Sequence, residues 1–248
     1  MTGKQIPFSA LVWAALACPS PATAQAPSPA PKTWTVAAGA GLALTSGNAD
    51  TSTVNASYDI TYDPHTRNVV KSDGLVIRGT TEDTVSADRL GLNARDELRL
   101  NDRAYVFGQN QYLRDRFKRI DYLIAPAGGI GYKLVETSRT KLAVDGGVGG
   151  VWEKNPGADV AGSGALTLGE KLAQTLTATT SLTQSFSGLW KTTDVEDALH
   201  VFSIGLAAAM STRTQLKVEL LDTYKNKPLL ATVQKNDVAV LVEVVYKM

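Results

Sequence analysis

The chain has little of the chemistry that marks an enzyme or a metal protein. It carries one cysteine, Cys18, and two histidines, His65 and His200. A single thiol excludes internal disulfides and Cys-ligated metal sites. Neither GxSxG nor HExxH occurs. His65 stands beside Pro64 in a turn and His200 lies on an apolar strand face, so neither is placed to activate a nucleophile. No catalytic residue, cofactor or metal is therefore expected. No apolar run reaches the roughly eighteen residues of a membrane-spanning helix. The formal net charge is only +1, which argues against a general nucleic-acid binder. Aromatics make up just 7% of the chain, so their placement carries information.

What the chain does have is alternation. In Thr51–Asp63 the even positions are Ser52, Val54, Ala56, Tyr58, Ile60 and Tyr62, whereas the odd ones include Thr53, Asn55, Ser57, Asp59 and Thr61. Period two with one apolar and one polar face describes a β-strand. The pattern recurs to the last residue in segments of about ten residues divided by turn signals, the signature of a transmembrane β-barrel. The first six segments are Trp34–Thr45, Thr51–Asp63, Val69–Gly79, Val85–Leu98, Ala104–Arg114 and Ile120–Leu134. The third to fifth are less clean, with Tyr105, Phe107 and Tyr112 in mixed parity. Six more follow, the ninth opening at Leu176 and the last running from Val238 to Met248. The expected fold is all-β: an antiparallel up-and-down barrel of about twelve strands occupying residues 34–248.

Ahead of it lies a secretory signal, residues 1–24. Lys4 is its positive end, Phe8–Ala17 its apolar segment and Ala22-Thr23-Ala24 its cleavage motif. Cys18 leaves with it. Ala15 stands where a lipoprotein signal carries leucine, which disfavours lipidation. Residues 25–33 form a Pro/Ala-rich lead-in.

Link lengths orient the barrel. Short turns are expected around Thr66-Arg67-Asn68, Asn101-Asp102-Arg103, Thr137-Ser138-Arg139, Ala173-Gln174 and Thr212-Arg213. Longer links are expected over residues 80–84, 115–119, 155–159, 189–197 and 225–236. Short turns belong in the periplasm and long loops outside, so both termini are expected to be periplasmic. The aromatics agree. Trp34, Tyr62, Tyr132 and Tyr246 fall at the inner strand ends, while Tyr122, Trp152, Phe186, Phe202 and Tyr224 fall at the outer ends. All nine share the apolar face, as two interfacial girdles should.

The opposite face is expected to line the lumen with Asp59, Lys133, Lys141, Asp145, Glu153, Lys171, Lys217, Glu219, Glu243 and Lys247. Mixed signs suit either a hydrated, weakly selective pore or a set of cross-lumen ion pairs that stiffen a closed barrel. Twelve strands lie between barrels filled by side chains and barrels holding a channel. The most basic stretch, with Arg114, Arg116, Lys118 and Arg119, is expected to meet lipopolysaccharide phosphates, Phe117 dipping into the interface. Met248, Tyr246 and Val244 give the last strand the alternating apolar end by which barrel-assembly machinery recognises its clients, although such strands usually end in Phe or Trp.

Several of these stretches resemble the salt-induced outer-membrane proteins, a family of unknown function. The resemblance rests on LALTSGNADT (42–51), on Asp115-Arg116-Phe117 and Ile120-Asp121-Tyr122, on Gly129-Ile130-Gly131-Tyr132, and on a final strand opening at Asp237. It implies an outer-membrane barrel and, by name only, a response to salt, and it supplies no catalytic residues. The expected protein is thus a monomeric, non-enzymatic outer-membrane barrel. It acts either as a small diffusion channel or envelope component under salt or osmotic stress, or as a plugged barrel binding lipopolysaccharide or a protein through its outer loops; an outer-membrane hydrolase is the third reading.

Overall fold

The alternation becomes twelve antiparallel strands in the computed structural model, which describes residues 33–46, 51–81, 84–230 and 232–248. The expected signal segment, and the lead-in up to residue 32, lie outside the described residues. The strands are β1 (Trp34–Ser46), β2 (Thr51–Tyr62), β3 (Asn68–Thr81), β4 (Thr84–Arg99), β5 (Ala104–Asp115) and β6 (Ile120–Glu136). They continue as β7 (Thr140–Lys154), β8 (Ala161–Thr175), β9 (Thr180–Lys191), β10 (Asp194–Ala209), β11 (Thr214–Lys225) and β12 (Asn236–Lys247). Each is longer than the roughly 9–11 residues that cross a bilayer at a tilt.

Every strand pairs with its sequence neighbours, and β1 pairs with β12, so the sheet closes and keeps no edge. Ala40 lies opposite Val244 across this seam, and Gly41 opposite Glu243. A Cβ on Gly41 would fall 1.8 Å from the Val242 carbonyl oxygen, so only glycine fits at that point. Pairing joins odd residues to odd and even to even, apart from local irregularities such as those near Gly79 and Lys133. Odd residues therefore face the interior on every strand, except where such irregularities turn Ile120 and Glu136, at the two ends of β6, inward.

Even residues form an apolar outer band. Ile130 is 69% exposed and Val148 66%, with Leu42, Val54 and Val244 similarly open. A continuous exposed apolar belt is foreign to a protein surrounded by water and normal for a barrel surrounded by lipid. The end where β1 begins and β12 finishes is called the base here, and the other end the crown.

The link pattern departs from expectation in several places. The β8–β9 turn is at residues 176–179, not at Ala173-Gln174, so Leu176 and Ala178 precede the ninth strand. Thr177 sets the bend: its Oγ1 accepts the amides of Thr179 and Thr180, and the Leu176 amide donates to the Thr180 carbonyl. The expected long link at 189–197 shrinks to Thr192-Thr193, because β9 runs on to Lys191 and β10 starts at Asp194. The link expected at 80–84 lies largely within β3 and β4. At the crown only residues 155–160 and 226–235 are long links among the described residues.

Candidate functional site

Inward side chains divide the lumen into layers. Nearest the crown is a buried ionic quartet from β7, β9, β10 and β11. Lys225 lies 2.9 Å from Glu153 Oε1 and 3.4 Å from Asp197. Lys191 lies 2.7 Å from Glu153 and 2.6 Å from Asp197. Glu153 is 1% exposed and Lys225 3%, so these charges face one another rather than water. Beside the quartet, Arg89 lies 3.3 Å from Asp115 and donates to Thr223 Oγ1.

The 116–119 turn folds inward over this layer. The Asp115 carboxylate holds the turn by accepting the amides of Phe117 and Lys118. Lys118 is fully buried, and its ammonium donates to the Gln234 and Lys235 carbonyls at 3.1 and 2.7 Å and meets Asp237 at 3.1 Å. Lys118 therefore does not face lipopolysaccharide, contrary to expectation. Phe117 packs inward on Ile77, Leu221, Ala239 and Leu241 instead of dipping into an outer interface. Arg114 and Arg116 both reach Asp88, at 2.6 and 3.5 Å. Arg116 and Arg119 remain exposed. The turn hangs on a lysine whose charged tip finds its partners inside, on the 226–235 link and the start of β12, which the local sequence does not reveal.

Below this cap the lumen is filled with apolar side chains. Leu113, Ile120, Leu123, Val151, Leu189 and Leu199 form one cluster, and Ile77, Leu221 and Leu241 a second. A cavity of about 260 Å³ lies beneath them, reaching Leu75, Leu113 and Leu199 above and Asp73, Arg95, Asp145 and Lys171 below. Those last four also line a larger chamber of about 610 Å³ that extends to the base. Lys133, Glu136 and Lys141 rim its mouth, Lys133 and Lys141 lying 3.3 and 3.6 Å from Glu136.

Arg95 is the centre of the partition. Its guanidinium contacts Glu97 at 2.9 Å, Asp145 at 2.8 Å and Gln109 at 2.7 Å. It also lies 3.7 Å from the Phe107 ring centroid and 5.7 Å from that of Tyr105. These two rings point inward, whereas Tyr112 has outward parity, which resolves the mixed parity of the fifth strand. Space for the rings comes from glycines on β6 and β7. A Cβ on Gly131 would lie 2.1 Å from the Tyr105 ring, and one on Gly129 2.8 Å from that of Phe107.

All ten expected lumen charges have inward parity, but they do not form one group. Glu153 belongs to the crown quartet. Glu243 is 1% exposed at mid-height, accepting from Asn55 and from Ser57 at 3.1 Å. Lys217 pairs with Glu219. Asp59, Lys133, Lys141, Asp145 and Lys171 line the base chamber with the Lys217–Glu219 pair, and Lys247 ends β12 at the base rim. The sequence missed Lys71, Asp73, Arg89, Arg95, Glu97, Lys191, Asp197 and Lys225. Odd parity, extended without a break through β3–β5 and to the true strand ends, would have found them.

The nine girdle aromatics all have outward parity. At the base the Trp34 and Tyr62 rings lie 4.6 Å apart, and Arg213 donates to the Tyr246 hydroxyl at 3.3 Å. Toward the crown Phe186 and Tyr224 flank His200 on the outer face, with ring centroids 5.8 Å from it. Trp190, 5.1 Å from His200, joins them and was overlooked because its strand reads as a link. No group of three or more metal-ligating side chains occurs among the described residues.

Outside the membrane-spanning part, partial burial raises the Asp63 carboxyl pKa. Hydrogen bonds from Arg99 and the His65 amide, together with the charge of Arg99, outweigh that and hold the carboxyl below its ordinary value.

Among solved structures, the NanC porin matches over 87% of this chain and 100% of its own, at 9% identity and TM-score 0.56. The translocator domain of the autotransporter NalP from Neisseria meningitidis matches over 87% and 88%, at 13% identity and TM-score 0.51. An outer-membrane channel from Pseudomonas putida F1 matches over 88% and 96%, at 13% identity and TM-score 0.50. At such identities the likeness is one of fold alone. No curated protein matches the chain. Residues 38–248 match a family described as a protein of unknown function, DUF481.

Proposed function

The chain belongs to the DUF481 family, and we propose that it is a non-enzymatic outer-membrane barrel whose lumen is a blind chamber facing the periplasm. The observation that carries this reading is the filled crown half: two apolar clusters beneath a fully buried Lys118 and an ionic quartet. The apolar belt and paired girdles suit a bilayer, and the short base turns suit the periplasmic side. Export by the 1–24 signal supplies the route, and the alternating end of β12 the handle for assembly.

Single-channel recording on refolded mature protein in planar bilayers tests the reading. The expected result is a folded, heat-modifiable barrel that stays electrically silent. Discrete steps proportional to salt concentration overturn it and make the protein a diffusion channel.

A gated channel is the second reading, favoured by one observation. The polar ties of the inward turn across the lumen run through Lys118, to residues 234, 235 and 237. Lys118→Met then turns a silent protein into one with intermittent steps. Lipopolysaccharide contact, if made by this turn, falls to Arg116 and Arg119. Removing both charges while lipopolysaccharide association stays unchanged ends that proposal. A role under salt or osmotic stress is tested by growth of a deletion strain across salt concentrations, where growth equal to the parent excludes it.

A further inference from the structure

The base chamber divides its charges in a way that the ion pairs described above do not explain. Most of them are tied to a partner on the same or an adjacent strand, as in Lys71–Glu97, 2.7 Å apart, and Lys217–Glu219. Asp59, Asp73 and Lys171 line the chamber and take part in no ion pair within 4 Å among the described residues. Asp59 and Asp73 face each other in register across β2 and β3. Among the described residues Asp73 accepts from the neutral Asn93 amide, at 3.2 Å, and from no cation. Lys171 is on β8, and β2 and β8 stand six places apart in a ring of twelve strands. One wall thus carries two carboxylates without an ion pair, beside the Lys71–Glu97 pair, and the wall opposite carries the ammonium group of Lys171.

A barrel that only needed internal neutrality would pair these charges, as it pairs most of the chamber's others. Two unlike poles facing across a water-accessible space hold a field directed across the lumen. The low-dielectric wall strengthens that field relative to bulk water. A dipolar solute aligned with it gains at both ends, whereas a simple cation or anion gains at one.

We propose that the base chamber binds a small zwitterion of the aminocarboxylate class. Its ammonium group is received by Asp59 and Asp73 and its carboxylate by Lys171. Lys171 suits this role, because an ammonium on a flexible stem can follow a carboxylate across the lumen. The approach is from the base rim, so the site operates whether or not the crown opens. Conductance would overturn the blind-chamber reading and leave this one standing.

The test is calorimetric titration of the refolded full barrel with 4-aminobutyrate, and separately with butyrate and butylammonium. The expected result is that 4-aminobutyrate binds roughly tenfold more tightly than either single-charge analogue. Lys171→Gln and the double change Asp59→Asn, Asp73→Asn should each abolish that advantage. Heat-modifiable migration on gels shows which variants fold. Lys171→Arg serves as a second variant that keeps the charge and should keep the preference. Equal binding of all three probes overturns the proposal, as does a preference that survives loss of either pole.

Discussion

The ionic quartet at the crown makes a quantitative demand on stability. Glu153 receives Lys225 at both carboxylate oxygens, at 2.9 and 3.0 Å, and Lys191 at 2.7 Å. Glu153→Gln keeps the shape and removes the charge, leaving two buried ammonium groups to share Asp197. Breaking a buried pair from one side costs about 3–5 kcal/mol, because the surviving charge stays desolvated. Lys225→Met should cost a similar amount, leaving Glu153 with Lys191 alone. With a urea dependence of about 1–3 kcal/mol per molar, either change should lower the unfolding midpoint by at least about 1 M. The assay is urea unfolding of the refolded barrel, followed by tryptophan fluorescence. The double change Glu153→Leu, Lys225→Leu should recover most of the loss. In register Glu153 faces Leu123 and Lys225 faces Leu199, so the apolar layer would simply extend upward, while Lys191 keeps Asp197 at 2.6 Å. Shifts below about 0.3 M for both single variants would show that water reaches these charges, and the sealed crown would be wrong.

Gly131→Val should force the Tyr105 ring to move and lower stability by about 1–3 kcal/mol, with Tyr105→Ala in the same chain relieving most of it. The midpoint of urea unfolding reads both, and additive losses would refute the steric account. Tyr246→Asp puts a charge on the outer face of the closing strand and should block assembly, seen as loss of the heat-modifiable form in membranes. Normal insertion of that variant would count against the outward parity of β12. For Asp63, whose folded carboxyl is held below its ordinary value of 3.8, the linked stabilisation is complete above that value and fades as pH falls through the lower folded pKa. An NMR titration should show the Asp63 carboxyl midpoint rising when Arg99 is changed to Gln. An unchanged midpoint would remove Arg99 as a cause.

Strands with a polar interior face were legible from sequence, as β2 and the base half of β12 show. The bounds of β3–β5 were legible as well, to within two residues, but their inward face was less clean, and the structure supplies the reason. Leu75, Ile77 and Leu113 point inward to build the crown filling, so β3 and β5 are apolar on both faces there and the period-two contrast fades, whereas β4 loses it through Asp88 and Asp96 at outward parity. Strand ends failed for a related reason. Lys191 and Asp197 read as loop charges, yet each is satisfied inside by a residue far along the chain. Turn chemistry misled at Leu176, an apolar residue that looks like a strand start, although Thr177 commits the chain to a bend. Inward parity was the durable information, and partnership across the lumen was the part no local pattern could show.

A vessel with one mouth obeys different kinetics from a conduit. In the proposed blind chamber, solute that enters from the base leaves by the same rim, so such a barrel sustains no net flux at any gradient. Its occupancy follows the local concentration, and its capacity scales with the number of copies. On that proposal the protein is a reservoir, whose influence lies in how much it holds and how quickly the rim exchanges it.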